Sequence, residues 1–251
     1  MENKLYLSVI IPAYNEESQI SETLIDVDKY LSRQKFSSEI IVVIDGATDK
    51  TREKVRNMQN LVKNLKMIDN KENHGKGWVV RQAMLAAEGE YRLFMDADNA
   101  TTVEHFDKAV PLISEGGNII IGSRDPKDAK GAKKVQDQSF LKRSLGNFGN
   151  ILIQIVAVWG IWDTQCGFKI FSAKAAKDIF SKCLINRWGF DIEALALARK
   201  LKYKIGIIPI IWYDKGGSLV GKKGLGGYGN TLKELFQIRL NFITGKYRIK
   251  K

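Results

Sequence analysis

The chain has 251 residues, 44% of them aliphatic or aromatic, and a formal net charge of +12. That length and apolar share exclude a disordered chain and supply enough side chains for one large core. Cys166 and Cys183 are the only cysteines, which excludes a disulfide framework and suits reduced thiols in a cytosolic protein.

Along the chain, Tyr6–Ile11, Glu39–Ile44, Lys66–Asp69, Tyr91–Asp96 and Asn118–Ser123 are predicted strands, because they are short and rich in β-branched and aromatic residues. Between them lie predicted helices at Glu17–Leu31, Asp49–Leu61, Lys76–Ala87 and Val103–Ser114. The first places Ile20, Leu24, Val27 and Leu31 on one face, and Thr48 or Asp49 is available to cap the second. Strand–helix alternation implies an α/β fold with a mostly parallel sheet and right-handed crossovers.

After Ser123 the rhythm changes. Arg124–Gln138 reads as a basic loop, and Ser139–Trp159 as a long helix in which Leu141, Leu145, Phe148, Leu152, Ile155 and Trp159 recur at spacings of three and four. Ile151, Val156 and Val158 widen its apolar arc toward an interfacial role. Gly224-Leu225-Gly226-Gly227-Tyr228-Gly229 matches a dinucleotide glycine pattern literally. It follows Lys222-Lys223 rather than a strand, so with Gly216, Gly217 and Gly221 it reads as a flexible flap.

A second amphipathic helix is expected over Thr231–Thr244. From Lys200 onward twelve basic residues face two acidic ones, which calls for a polyanionic partner, nucleic acid or an anionic membrane surface. No segment reaches the ~20 apolar residues of a membrane span. Met1–Lys4 lead directly into the first strand, so no signal peptide is read. The expectation is a peripheral protein on the cytoplasmic face of a membrane. Residues 1–215 would form the catalytic unit and 216–251 a dependent appendage of flap and basic helix.

Chemistry gathers where the predicted strands end, the edge at which open α/β sheets bind ligands. Pro12-Ala13-Tyr14 turns out of the first strand, and Tyr14 is suited to stacking on a base. Asp45, before Gly46, is suited to accepting a hydrogen bond from a ligand N–H. Asn73-His74-Gly75-Lys76-Gly77 brings a lysine to a helix start, a place for a diphosphate or an Asp side chain. Asp96 and Asp98, two apart on a strand, point the same way and can clamp a hard divalent cation.

Three blocks of sequence carry a resemblance. The first is Ile11-Pro12-Ala13-Tyr14-Asn15-Glu16 with Asp45-Gly46 and Asp96-Ala97-Asp98. The others are Asp163-Thr164-Gln165-Cys166-Gly167-Phe168-Lys169 and Arg187-Trp188-Gly189-Phe190-Asp191-Ile192-Glu193. With them the chain resembles inverting family 2 glycosyltransferases of the GT-A fold, in the branch of dolichyl-phosphate β-glucosyltransferases and related polyprenyl-phosphate sugar synthases. Ile44 departs from the usual double Asp at that position. The resemblance implies a UDP-sugar donor, a polyprenyl or dolichyl phosphate acceptor, and Mg²⁺ or Mn²⁺.

It also implies roles for particular residues. Pro12, Ala13, Tyr14, Glu16, Asp45, Gly46, Lys76, Asp96 and Ala97 would hold the nucleotide, and Asp96 and Asp98 the metal. A lipid monophosphate is largely dianionic at neutral pH and needs cations more than a base. Arg124 and Arg143 are the candidates, since the arginine fork fits phosphate. Gln165, Trp188, Asp191 and Glu193 would shape the sugar and acceptor side, with Glu193 as a base if the acceptor were a hydroxyl. Transfer of N-acetylglucosamine, or to a saccharide hydroxyl, is the alternative enzyme reading. A basic nucleic-acid-binding module is the distant one, without an aromatic-rich RNA-binding signature or zinc spacing behind it.

Overall fold

A computed structural model describes residues 5–135, 149–213 and 224–247. Five strands and four helices alternate first: β1 (Leu7–Ala13), α1 (Ile20–Leu31), β2 (Ser38–Asp45), α2 (Thr51–Met58), β3 (Leu65–Asn70), α3 (Lys76–Ala86), β4 (Tyr91–Met95), α4 (Phe106–Ser114) and β5 (Ile119–Ser123). Then come β6 (Lys133–Val135), β7 (Phe168–Ser172), α6 (Ala173–Phe180), α7 (Phe190–Lys200), β8 (Ile205–Pro209), β9 (Ile211–Tyr213) and α8 (Gly224–Ile243). Residues 149–156, between β6 and β7, are helical and form α5.

Seven strands make one sheet in the order β3-β2-β1-β4-β7-β5-β8, and β6 pairs with β9 apart from it. Pairings are parallel except those of β7, which is antiparallel to both β4 and β5. Six strands therefore end at one edge, and β7 starts there. Met95, the last residue of β4, lies opposite Phe168, the first of β7.

The strands are buried on both faces, as a sheet covered by helices on each side requires. Successive side chains serve opposite cores. Leu7, Val9 and Ile11 join α1, α2 and α4 in one core, whereas Ile10 joins α3, α6 and α7 in the other. Pro12 is tolerated in β1 because pairing with β4 stops at Ile10, leaving hydrogen bonding to β2 alone.

Three expectations change. Helix 139–159 is described only from residue 149, and its helical part stops at 156, short of Trp159. Arg143, like residues 214–223, lies outside the described residues. The glycines at 224–229 belong to α8 rather than to a flap, because extending a helix that is anchored further along needs no new nucleus. That anchor is Leu235 and Ile238, buried with α7 in the second core. Finally, β4 ends at Met95, so Asp96 and Asp98 sit in the turn after the strand rather than on it.

Candidate active site

The site is assembled from the turns at the common edge. Asn15, after β1, adopts a left-handed backbone with φ 56° and accepts a hydrogen bond from the Thr48 N–H (2.9 Å). The Glu16 N–H donates to Thr51 Oγ1 (2.7 Å). Asp49 accepts from the Thr51 N–H (2.9 Å) within the turn before α2, whereas the N-cap position itself is Lys50, without a side-chain cap, so neither Thr48 nor Asp49 takes the expected capping place. These bonds stitch the turn after β1 to the turn after β2.

Asp45 is buried, and its carboxylate fastens the loop after β3. It accepts from the His74 N–H (2.7 Å), the Gly75 N–H (3.0 Å) and Asn73 Nδ2 (3.1 Å). Three of about four acceptor positions are thereby engaged, so the expected base reader is chiefly a loop anchor here. Gly46 is required beside it. Its φ is +66°, and a Cβ would lie 2.5 Å from the Asn73 nitrogen.

The loop so fixed starts α3 and delivers Lys76, whose Nζ lies 2.5 Å from Asp96 Oδ1. Lys76 also stands over the rings of Trp188 (5.0 Å) and Phe94 (5.3 Å). Burial would lower its pKa, but Asp96 and Asp191 raise it above the ordinary lysine value. Burial likewise opposes ionisation of Asp96, and Lys76 overcomes it, holding the carboxyl below its usual range.

The acidic turn is braced from α1. Thr23 Oγ1 donates to the Ala97 carbonyl (2.7 Å), Asn99 Nδ2 donates to Asp26 (2.7 Å), and Asp98 Oδ1 accepts the Ala100 N–H (3.0 Å). Burial, Asp98 and Asp96 together push the Glu16 carboxyl up to about 7. Both aspartates thus bear on Glu16, placed by the turn rather than by strand periodicity, and among the described residues no three His, Cys, Asp or Glu side chains gather closely enough to hold a metal ion by themselves. Hard carboxylate oxygens crowded on one turn suit Mg²⁺ or Mn²⁺, which complete their shells with water and substrate phosphate.

The crowding has a measurable consequence. Glu16 keeps its proton to about pH 7 when folded, against about 4.5 otherwise. Between those values the folded state holds the extra proton, so stability falls as pH rises across that window. Glu16→Gln is expected to raise the melting temperature at pH 8 and leave it nearly unchanged at pH 4, with chelator present. An equal shift at both pH values would contradict the repulsion.

Other expected residues are brought near but are occupied. Arg124, after β5, is clasped by Asp163: Nε donates to Oδ2 (2.7 Å) and Nη2 to Oδ1 (2.8 Å), beneath Trp212. Burial would lower the arginine pKa, but the Asp163 charge raises it. Asp191 pairs with the buried Lys169 (2.7 Å), and burial nevertheless raises its pKa. Gln165 Nε2 donates to the Trp188 carbonyl (3.4 Å).

Glu193 departs most from expectation. Fully buried in α7, it accepts from the Leu184 and Ile185 N–H groups (2.9 Å each) and from the Tyr247 hydroxyl (2.8 Å). Those bonds make it a structural tie between the segment after α6, α7 and the C-terminal segment, and they occupy both carboxylate oxygens.

Two important residues carried no expected role. Lys169 interrupts the apolar run Phe168–Phe171, a signal for a buried charge with a partner. Gly167 touches the acidic turn so closely that a Cβ there would fall 1.9 Å from Asp96 Oδ2.

Residues 8–180 match the family described as glycosyl transferase family 2. The chain belongs to glycosyl transferase family 2. This family 2 transferase is 34% identical to a dolichyl-phosphate beta-glucosyltransferase of Dictyostelium discoideum over 262 residues, 99% of this chain and 78% of that protein. The Saccharomyces cerevisiae and Homo sapiens proteins of that name are each 34% identical, over 98% and 97% of this chain and 78% of theirs.

Solved structures share the fold. The Mycobacterium tuberculosis glucosyl-3-phosphoglycerate synthase with Mn²⁺, UDP-glucose and phosphoglyceric acid superposes with TM-score 0.68 at 16% identity, over 98% of this chain and 81% of that one. Staphylococcus aureus TarS with UDP-GlcNAc gives 0.60 at 22%, over 94% and 67%. The expected GT-A-like architecture and glycosyltransferase class are thus both found.

Proposed function

We propose that the chain transfers glucose, with inversion, from UDP-glucose to dolichyl or polyprenyl phosphate at the cytoplasmic face of a membrane. The observation that carries this is near-full-length similarity to dolichyl-phosphate beta-glucosyltransferases, joined to an acidic turn and a paired lysine at the ligand-binding edge of the sheet.

Pro12, Ala13, Tyr14 and the remaining acceptor position of Asp45 are assigned to the uridine. Asp98, with Asp96, is assigned to Mg²⁺ or Mn²⁺, the ions held by the mycobacterial synthase structures. Such a cation supplies Lewis-acid charge for loss of UDP. Lys76 keeps Asp96 ionised and places positive charge where a diphosphate would lie. The anionic acceptor needs no general base, in keeping with the structural use of Glu193. Arg143 remains the assigned acceptor cation, and Arg124, clasped by Asp163, contributes field more than direct contact.

Helix α8 supplies the assigned membrane contact. Its inner face buries Leu235 and Ile238, while Leu232, Phe236 (57% exposed), Leu240 and Ile243 (71%) form an outer apolar stripe flanked by exposed Lys233 and Arg239. No helix among the described residues is long and apolar enough to cross a membrane. Basic side chains beside an apolar stripe suit an anionic leaflet, at about 1 kcal/mol per charge. Co-sedimentation with anionic vesicles is expected, with sharp loss in Phe236→Glu; equal binding by that variant would remove α8 from the contact.

The transfer itself is tested with labelled UDP-glucose, MnCl₂ and polyprenyl phosphate in vesicles. Label is expected in the organic-soluble lipid. Label only in soluble saccharide, or only from UDP-GlcNAc, would overturn the reading.

A further inference from the structure

We propose that Glu234 is a positioning residue for the donor site, which it controls by gripping the Trp188–Gly189 peptide from α8. The inference rests on the transferase reading above.

Glu234 is one of two acidic residues after Lys200, and it shares the inner face of α8 with Ile238 and Asn241, one and two turns on. Its Oε2 accepts the Gly189 N–H at 2.7 Å. The approach is tight, since a Cβ on Gly189 would come 2.9 Å from the Glu234 Cβ. The carbonyl of the same peptide unit, that of Trp188, accepts from Gln165 Nε2 at 3.4 Å. One peptide plane is therefore held at its N–H by α8 and at its C=O by the segment before β7.

A fixed peptide plane fixes the side chain that hangs from it. The Trp188 ring covers Lys76 at 5.0 Å, and Lys76 pairs with Asp96 at 2.5 Å. The chain of contact thus runs from Glu234 through the peptide to the indole, the ammonium and the acidic turn. A second tie runs parallel. Tyr247 reaches Glu193, Glu193 holds the Leu184 and Ile185 N–H groups, and the Asn186 carbonyl accepts the Trp78 N–H of α3 (3.1 Å). Segment 184–189 is in this way clamped between the C-terminal helix and the helix that bears Lys76. Because the opposite face of α8 carries the exposed apolar stripe, docking of that stripe would be felt at the donor site.

The test compares Glu234→Ala, Glu234→Gln and Gln165→Ala by calorimetric titration with UDP and MnCl₂, by donor and acceptor KM, and by thermal melting. Loss of a charge-assisted hydrogen bond at the peptide is expected to weaken UDP binding and raise the donor KM by about tenfold in Glu234→Ala. The acceptor KM should shift by less than the donor KM. Glu234→Gln, which keeps an acceptor oxygen, should return within about twofold of the parent, and Gln165→Ala should shift UDP binding in the same direction by less. A folded Glu234→Ala variant with parental UDP affinity and donor KM would overturn the clamp, as would a Gln variant as impaired as the Ala variant. Parent protein that binds UDP yet transfers no hexose would instead overturn the transferase reading, and the UDP titration would still decide the clamp.

Discussion

Asp98→Ala is expected to lower hexose transfer about a thousandfold while the chain stays folded. The effect on chemistry is large because Asp98 stands in the acidic turn assigned to the cation, and it is the foremost charge acting on Glu16. The effect on folding is small because the turn has other braces, the Thr23–Ala97 and Asn99–Asp26 hydrogen bonds. A third readout separates a lost metal contact from general damage. Without Asp98, Glu16 should titrate lower and the pH dependence of melting should weaken. A variant with full activity, or with chelator-resistant activity, would refute the assignment.

Gly167→Ala is expected to cost about a hundredfold in kcat/KM, acting through the place it leaves for Asp96. Its backbone is not left-handed, so the requirement is one of space rather than conformation. The first atom of any side chain would fall within 1.9 Å of Asp96 Oδ2 and 2.3 Å of its Cγ. Either the carboxylate leaves its place beside Lys76, or β7 shifts away from β4 and strains the hydrogen bond that the Asp96 N–H donates to the Gly167 carbonyl (3.2 Å). Overpacking of this kind also costs about 1–3 kcal/mol of stability. Kinetic titration should show loss of the Lys76–Asp96 pair as a raised donor KM together with a lowered kcat. Parental kinetics would mean that Asp96 can relocate without consequence.

The alternating half of the molecule was legible from its residues. β1, β2 and β5 are apolar runs rich in β-branched residues, β4 is apolar and aromatic toward its end, and α1 to α4 lie between the strands within two or three residues of expectation. The polar groups at the strand ends converge because the sheet is parallel. What was not legible depended on partners remote in the chain. The reversal of β7 follows from a connection of more than forty residues after β5, and no local pattern encodes its direction. The engagement of Arg124 depends on Asp163, 39 positions away, and that of Glu193 on backbone N–H groups, which no side-chain pattern reveals.

Glycine content misled for a different reason. Each glycine weakens a helix by about 1 kcal/mol, which argued for a flap over 224–229, yet the anchored remainder of α8 carries the helix through it. Gly167 shows the converse, a single glycine in a short motif whose meaning is the volume left for Asp96.

Anomalous diffraction from crystals grown with UDP and MnCl₂ tests most directly whether the acidic turn is the donor centre. The expected result is one manganese peak against the Asp98 carboxylate, with the UDP diphosphate beside Lys76. A peak remote from the turn, or UDP bound away from β1, β2 and β4, would contradict it.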